Sequence, residues 1–142
     1  MRNYLKFSLL FAFFGLGISL VFLQSCAQMA SPPGGKKDTL APVVTTSIPL
    51  NKSKNFKGKK IELTFNEYVT VKNLNQELLI TPSIGNYETR IRPTGLTLVL
   101  DSALKDNTTY TFNFRNAVED IAERNKGKNI KLVFSTANTI DS

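Results

Sequence analysis

From Pro42 onward the sequence predicts an all-β antiparallel sandwich of about seven short strands. Three observations lead there. Apolar residues recur at every second position, the period of half-buried strands. Clusters of Asn, Asp, Gly, Pro and Ser separate these runs and supply turn chemistry. The chain has one Cys, no His and no Trp, so its core rests on aliphatic and Phe side chains without an internal disulfide.

The strands follow in order. Val43 to Ser47 offers the first. Ile61, Leu63 and Phe65 alternate with Glu62, Thr64 and Asn66. Leu78 and Ile80 form a short third run. Tyr87, Thr89 and Ile91 alternate with Glu88, Arg90 and Arg92. Leu96, Leu98 and Leu100 face one way, with Thr97 and Val99 opposite. Tyr110, Phe112 and Phe114 are separated by Thr111 and Asn113, and Leu132 with Phe134 closes the series. Turns fall at Asn51 to Lys60, Ser83 to Asn86, Pro93-Thr94-Gly95, Asp106-Asn107 and Lys126-Gly127-Lys128. Val118 to Arg124 is the one stretch read as a helical turn. Seven strands in roughly 100 residues are the proportions of an immunoglobulin-like (Ig-like) β-sandwich, with an open barrel as the alternative.

The N-terminal segment has a different character. Arg2 and Lys6 precede an apolar run from Phe7 to Leu23, the charge and hydropathy pattern of a secretory signal peptide. The sole cysteine follows in Leu23-Gln24-Ser25-Cys26, which resembles the lipobox of bacterial lipoproteins, with Gln24 in place of the usual small or apolar residue. The resemblance implies cleavage after Ser25 and lipidation of Cys26. Two plainer readings compete. As an uncleaved anchor, the run would span about 25 Å, short of a hydrocarbon core of roughly 30 Å. As an incidental thiol, Cys26 would be an oxidation liability in an exported protein. Two or three acyl chains would hold the protein firmly, where one holds marginally.

The expected organisation is therefore a signal peptide over 1–25, a lipidated Cys26 with a flexible tether over 26–41, and a sandwich domain over 42–142. Pro32-Pro33 and Gly34-Gly35 punctuate a tether almost free of large apolar residues. As a flexible coil it would separate its ends by roughly 20 Å. Loss of Arg2 and Lys6 with the signal lowers the net charge from +7 to +5. That balance favours anionic glycans or headgroups. Nucleic acid is not an expected partner, since no nucleic-acid motif is present.

Leu104-Lys105-Asp106-Asn107-Thr108-Thr109-Tyr110 has the pattern of a tyrosine corner, in which a buried Tyr bonds its hydroxyl to backbone a few residues upstream. More narrowly, three stretches resemble the N-terminal Ig-like domain, of the S-layer-protein type, found in Bacteroidota lipoproteins. They are Gly34 to Thr39, Ile61 to Val69, and Asn107 to Phe114. Val133 to Thr136 and Ile140 to Ser142 resemble its closing strand and exit. The resemblance covers residues 26–142, with Asn66 where members usually carry Asp and Ala41 where they carry Pro or a small residue. Related chains usually continue beyond this domain, which implies a truncated sequence or a short stand-alone member. It also implies an outer-membrane lipoprotein. By the same resemblance, an acidic cluster soon after the cysteine would promote surface export. Residues 27–35 contain no acid, so a periplasm-facing location is expected, with the cell surface as the alternative.

Candidate sites are few. Without His, and with its one Cys assigned to lipidation, the chain offers no Ser/His or Cys/His nucleophile system and no His metal site. No phosphate-cradling glycine loop or other cofactor motif appears. Glu119, Asp120 and Glu123 are the only clustered acids. Catalysis would require them to flank a cleft; a calcium site would add Asp101 and Asp106. The nearby Arg115, Arg124 and Lys126 favour a solvated ion-pair network instead. Lys52, Lys54, Lys57, Lys59 and Lys60, interleaved with Phe56, form a candidate anion-binding patch. The plainer reading is a solvated loop that protects a strand edge. Tyr68 and Tyr87 are candidate sugar-stacking aromatics, though alternation places Tyr87 in the core. The expected function is a non-catalytic structural, adhesive or accessory module. The alternative is a binder of anionic polysaccharide or membrane surface.

Overall fold

Alternation puts one face of each strand against a common core, and the pairing of strands then fixes which faces meet. The computed structural model describes residues 34–141. The expected signal peptide, Cys26 and the first part of the expected tether lie outside the described residues. In chain order the strands are β1 Val44–Ile48, β2 Lys60–Phe65, β3 Val69–Val71, β4 Leu79–Thr81, β5 Tyr87–Arg92, β6 Gly95–Leu100, β7 Thr109–Asn113, β8 Val118–Asp120 and β9 Lys131–Ser135. One helical turn, α1 Leu74–Glu77, stands between β3 and β4.

The strands form an antiparallel sandwich. One sheet has the order β1-β2-β6-β5 and the other β4-β7-β9, with β3 and β8 as a separate two-stranded ribbon. Ile61, Leu63 and Phe65 of β2 and Leu96, Leu98 and Leu100 of β6 supply the first sheet's buried face. Tyr110, Phe112 and Phe114 of the β7 segment and Leu132 and Phe134 of β9 supply the second's. Phe134 is the hub of this core. Its ring packs edge-on against Phe56 at 5.1 Å and stacks with Phe112 at 5.7 Å and Tyr110 at 5.9 Å. Offset and edge contacts of this kind add to area burial.

The strands define two ends. Pairing of Thr109 with Ser135 and of Asn113 with Lys131 puts the start of β7 and the end of β9 at one end. At that end, Tyr110 makes the corner its spacing predicts: the hydroxyl accepts a hydrogen bond from the Lys105 amide at 3.0 Å. Buried Thr136 locks the same loop. Its hydroxyl donates to the Lys105 carbonyl at 2.8 Å and accepts from the Thr108 amide at 3.0 Å. At the opposite end the β3–β8 ribbon closes the core with buried Val69, Ala117 and Val118.

Two local expectations are corrected. Val118 to Arg124 is not helical. Val118–Asp120 pairs with Val69–Val71 as a strand, because the amides and carbonyls of β3 need partners that a helix would withhold. Ile91 does not face the core; it is 54% exposed beside the β5–β6 turn, on the sheet's outermost strand. Tyr87 packs partly buried against the core, while Tyr68 is 65% exposed.

The segment after β1 crosses from one sheet to the other. Lys52 donates its amide to the Val133 carbonyl at 2.6 Å, Ser135 donates to Ser53 at 2.9 Å, and Phe56 donates to Ser135 at 3.0 Å. The Asn51 side chain accepts from the Val133 amide at 2.9 Å. Ser53 thus bridges Phe134 in parallel orientation, and the outer edge of β9 is covered. Such coverage removes a template for pairing with other chains.

Phe134→Ala should destabilise the domain by about 3–5 kcal/mol through the cavity it leaves among three rings. Tyr110→Phe should cost about 1–3 kcal/mol, because the Lys105 amide loses its acceptor. Denaturant midpoints measure both, and an unchanged midpoint for Phe134→Ala would contradict the core described here.

Candidate functional site

The loop that carries the five lysines is shaped by the parallel pairing with β9, and all five are exposed. Their side chains diverge. Lys57 pairs with Asp106 at 2.9 Å, Lys59 donates to the Asp101 carbonyl at 3.2 Å, and Lys60 pairs with Glu62. Lys52 and Lys54 make no ion pair among the described residues. The loop therefore does not gather five free cations on one face.

Lys60 belongs to a different arrangement, on the outer face of the first sheet. Glu62 of β2 lies between Lys60 and Arg92, which ion-pair with it from its own strand and from β5. Arg92 reaches across β6 at Gly95, where a Cβ would meet the Leu63 carbonyl at 3.1 Å and the Arg92 guanidinium at 3.6 Å. On this face Thr97 of β6, paired with Glu62 of β2 and Arg90 of β5, is only 4% exposed. Hydrogen bonds from Lys60 and then Arg92 hold the Glu62 carboxyl below its ordinary range.

The acids read as a candidate catalytic or calcium cluster are separated by the fold. Asp101 and Asp106 follow β6 at the tyrosine-corner end, while Glu119, Asp120 and Glu123 belong to the opposite end. Among the described residues, no group of acids is arranged to hold a metal ion. Glu119 is buried and paired with Lys72 across the ribbon. Asp120 is committed to backbone. Its Oδ1 accepts from the amides of Glu123 at 2.6 Å and Arg124 at 2.9 Å, and its Oδ2 from Asn125 at 2.8 Å. Burial would raise the Asp120 pKa, but the Asn125, Arg124 and Glu123 amides outweigh it and hold the group below the usual carboxylate range. This is a turn cap, built like those that Asp makes at loop starts.

The expected ion-pair network of Arg115, Arg124 and Lys126 with these acids is also corrected. None of the three forms an ion pair among the described residues. Lys72 and three backbone amides already occupy Glu119 and Asp120, and Glu123 likewise forms no ion pair among the described residues. Arg115 and Lys126 instead line an open groove of about 660 Å³, together with Lys128, Thr39 and Ala41. Residues 38–41, at the end of the expected tether, lie along it: Asn125 donates to the Asp38 carbonyl at 3.1 Å. The sequence held a weak signal for this groove, the Lys126-Gly127-Lys128 turn, but gave no hint that Arg115 joins it.

This arrangement of two antiparallel sheets, a tyrosine corner and a disulfide-free core is that of a bacterial Ig-like sandwich. The chain belongs to the bacterial Ig-like domain family, whose pattern it matches over residues 38–136. Solved structures with distant similarity include the methionine-rich copper-resistance protein PcoC of Escherichia coli, at 15% identity and a TM-score of 0.47, covering 67% of this chain and 97% of that one. The N-terminal part of the bacterial S-layer protein SbsC matches at 16% identity and a TM-score of 0.46, over 72% of this chain and 25% of that one. The LD-transpeptidase LdtMt1 matches at 14% and 0.43, over 66% and 38%. Likenesses this distant carry over no ligand or activity. No curated protein matches the sequence.

The carboxylates predict an acid response of defined sign. Glu62 and Asp120 ionise more readily in the folded state, so their contribution is fully present above the ordinary carboxylate range and is lost as pH falls through their folded values. Glu67 has the opposite sign, raised by burial and then by Asp120, Asp38 and Glu123. The melting temperature should fall between about pH 6 and pH 3, and Glu62→Gln should flatten that fall. Glu67→Gln should raise the melting temperature at neutral pH and steepen the acid slope. Thermal melts across this range check both signs.

Proposed function

We propose that this chain is a lipid-anchored, non-catalytic Ig-like module of the bacterial cell envelope. It acts as a structural or adhesive spacer or as an accessory interaction domain. The observation that carries the reading is the placement of Leu23-Gln24-Ser25-Cys26: it ends the apolar run and stands twelve residues before the family domain begins at residue 38. The acyl chains fix the protein, the intervening residues set its height, and the sandwich is what it presents. A non-catalytic role is supported by the disposal of the acids, since Glu119 and Asp120 are occupied and Asp101 and Asp106 stand at the other end. The outer membrane of a Bacteroidota cell, on its periplasmic side, is the proposed location, supported by the resemblance of the domain and the absence of acids over 27–35.

The second reading, an anionic-glycan or membrane binder through Lys52, Lys54, Lys57, Lys59 and Lys60, has less support. Three of these lysines already have partners within the domain.

The anchor is tested by mass spectrometry of the N-terminus of the protein isolated from membranes. The expected result is a chain that begins at Cys26 and carries acyl mass, with Cys26→Ser leaving the protein unlipidated and unprocessed. An unmodified thiol at Cys26 in the parent would overturn the assignment.

A further inference from the structure

The groove at the end opposite the tyrosine corner has no part in the presentation role, yet it has the features of a binding site. Its volume of about 660 Å³ falls within the range of ligand pockets. Arg115 comes from the turn after β7, while Lys126 and Lys128 come from the loop before β9; no carboxylate lines the groove. None of these three cations has an ion-pair partner among the described residues. Three cations without an ion-pair partner on one concavity, with no carboxylate in its lining, favour an anion there.

The rest of the lining is amide. Asn113, Asn116, Asn125 and Asn129 surround the same space. Each carries both donors and an acceptor, the complement of a hydroxyl-rich surface. Two of them are oriented by the domain. Asn113 Oδ1 accepts from the Arg115 amide at 3.1 Å, and Asn125 Nδ2 donates to the Asp38 carbonyl at 3.1 Å. That leaves Asn113 Nδ2 and the side-chain Oδ1 of Asn125 without a protein hydrogen-bond partner among the described residues. No aromatic ring lines the groove, which disfavours nucleic-acid bases, whose binding uses stacking platforms.

Arg115 has φ 43° and Asn129 φ 55°, in the left-handed region that Asn tolerates and Arg seldom occupies; Lys52 and Arg124, outside the groove, share it. Gly127 is buried against Ile130 and the Val118 carbonyl, where a Cβ would collide with the Ile130 side chain. Its amide donates to Val118 at 2.8 Å, which draws the loop inward between Lys126 and Lys128.

We infer that this groove binds an acidic saccharide, a hydroxyl-rich chain bearing carboxylate or phosphate groups. Arg115 takes the anionic group, for which its planar fork is suited. Lys126 and Lys128 add charge at the rim, and the asparagine amides read the hydroxyls. This assignment goes beyond the presentation role and does not depend on the lipid anchor.

The test is calorimetric titration of the purified full chain at physiological ionic strength, where exposed charges are screened beyond roughly 8 Å. The probes are a hexameric oligogalacturonate, the neutral hexamer of cellulose, and inorganic phosphate. Oligogalacturonate should bind, with the other two at least tenfold weaker. Arg115→Asn combined with Lys126→Gln and Lys128→Gln should reduce that binding at least tenfold with an unchanged thermal melt, since Asn accepts the left-handed backbone at 115. Lys52→Gln with Lys54→Gln should leave it intact. Absence of oligogalacturonate binding would overturn the proposal. So would equal affinity for phosphate alone, which marks a simple anion site, or equal loss in the Lys52/Lys54 variant, which marks diffuse charge. Should the triple variant melt early, Asn116→Ala serves in its place, and an unchanged affinity there would remove the amide reading.

Discussion

The domain depends on what surrounds the ring of Phe134. Phe56 reaches it from the crossing segment, while Tyr110 and Phe112 reach it from β7. With neither a disulfide nor a Trp available, these rings do the work of joining the edge segment, the second sheet and the core. The position is constrained from two directions. Tyr110 is held through its ring by Phe134 and through its hydroxyl by the Lys105 amide. Thr136, two residues after Phe134, closes the same loop from the other side. Packing and hydrogen bonding therefore fix one another: the corner sets the height of the Tyr110 ring, and the ring sets the path of the corner.

Charge follows a complementary logic. Cations and acids that meet within the sandwich line its outer face, as Glu62 does with Lys60 and Arg92 beside the buried Thr97. Pairs with half-exposed ends are worth little individually, about 0.2–1 kcal/mol. Their main effect is to let a central strand such as β6 be buried on both faces without an apolar exterior. At the ribbon end, Glu119 is paired with Lys72 and Asp120 is held by backbone amides, while Arg115, Lys126 and Lys128 form no ion pair among the described residues.

Much of the fold was legible because β2, β5, β6, β7 and β9 are each five or six residues long, enough for a period of two to stand out. The corner was legible too, since its partners Lys105 and Tyr110 are close in sequence. β3 and β8 have three residues each, too few for a period, and only their mutual pairing makes them strands. The crossing segment was read as a lysine loop because its bonds to β9 are main-chain and more than 75 residues distant, as for Ser53 and Phe134. The groove was hidden for a related reason. Arg115 and Lys126 stand beside acids in the sequence, and nothing local reveals that those acids are already occupied.

The crossing segment also bears on how the domain responds to pull. Residues 38–41 lie at the groove end, while Asp141 bonds Thr109 at the corner end, so tension between the two ends of the domain runs along the strands. The segment over 51–56 and β9 run parallel, and pulling them apart lengthwise displaces each past the other. The amides of Lys52, Asn55, Phe56 and Ser135 are then loaded together in shear. Hydrogen bonds arranged this way yield as a group, whereas a hairpin pulled at its open end gives way one bond at a time. A domain tied at one end and gripped at the other would carry its load through this patch, with Phe56 against Phe134 beneath it as the lock.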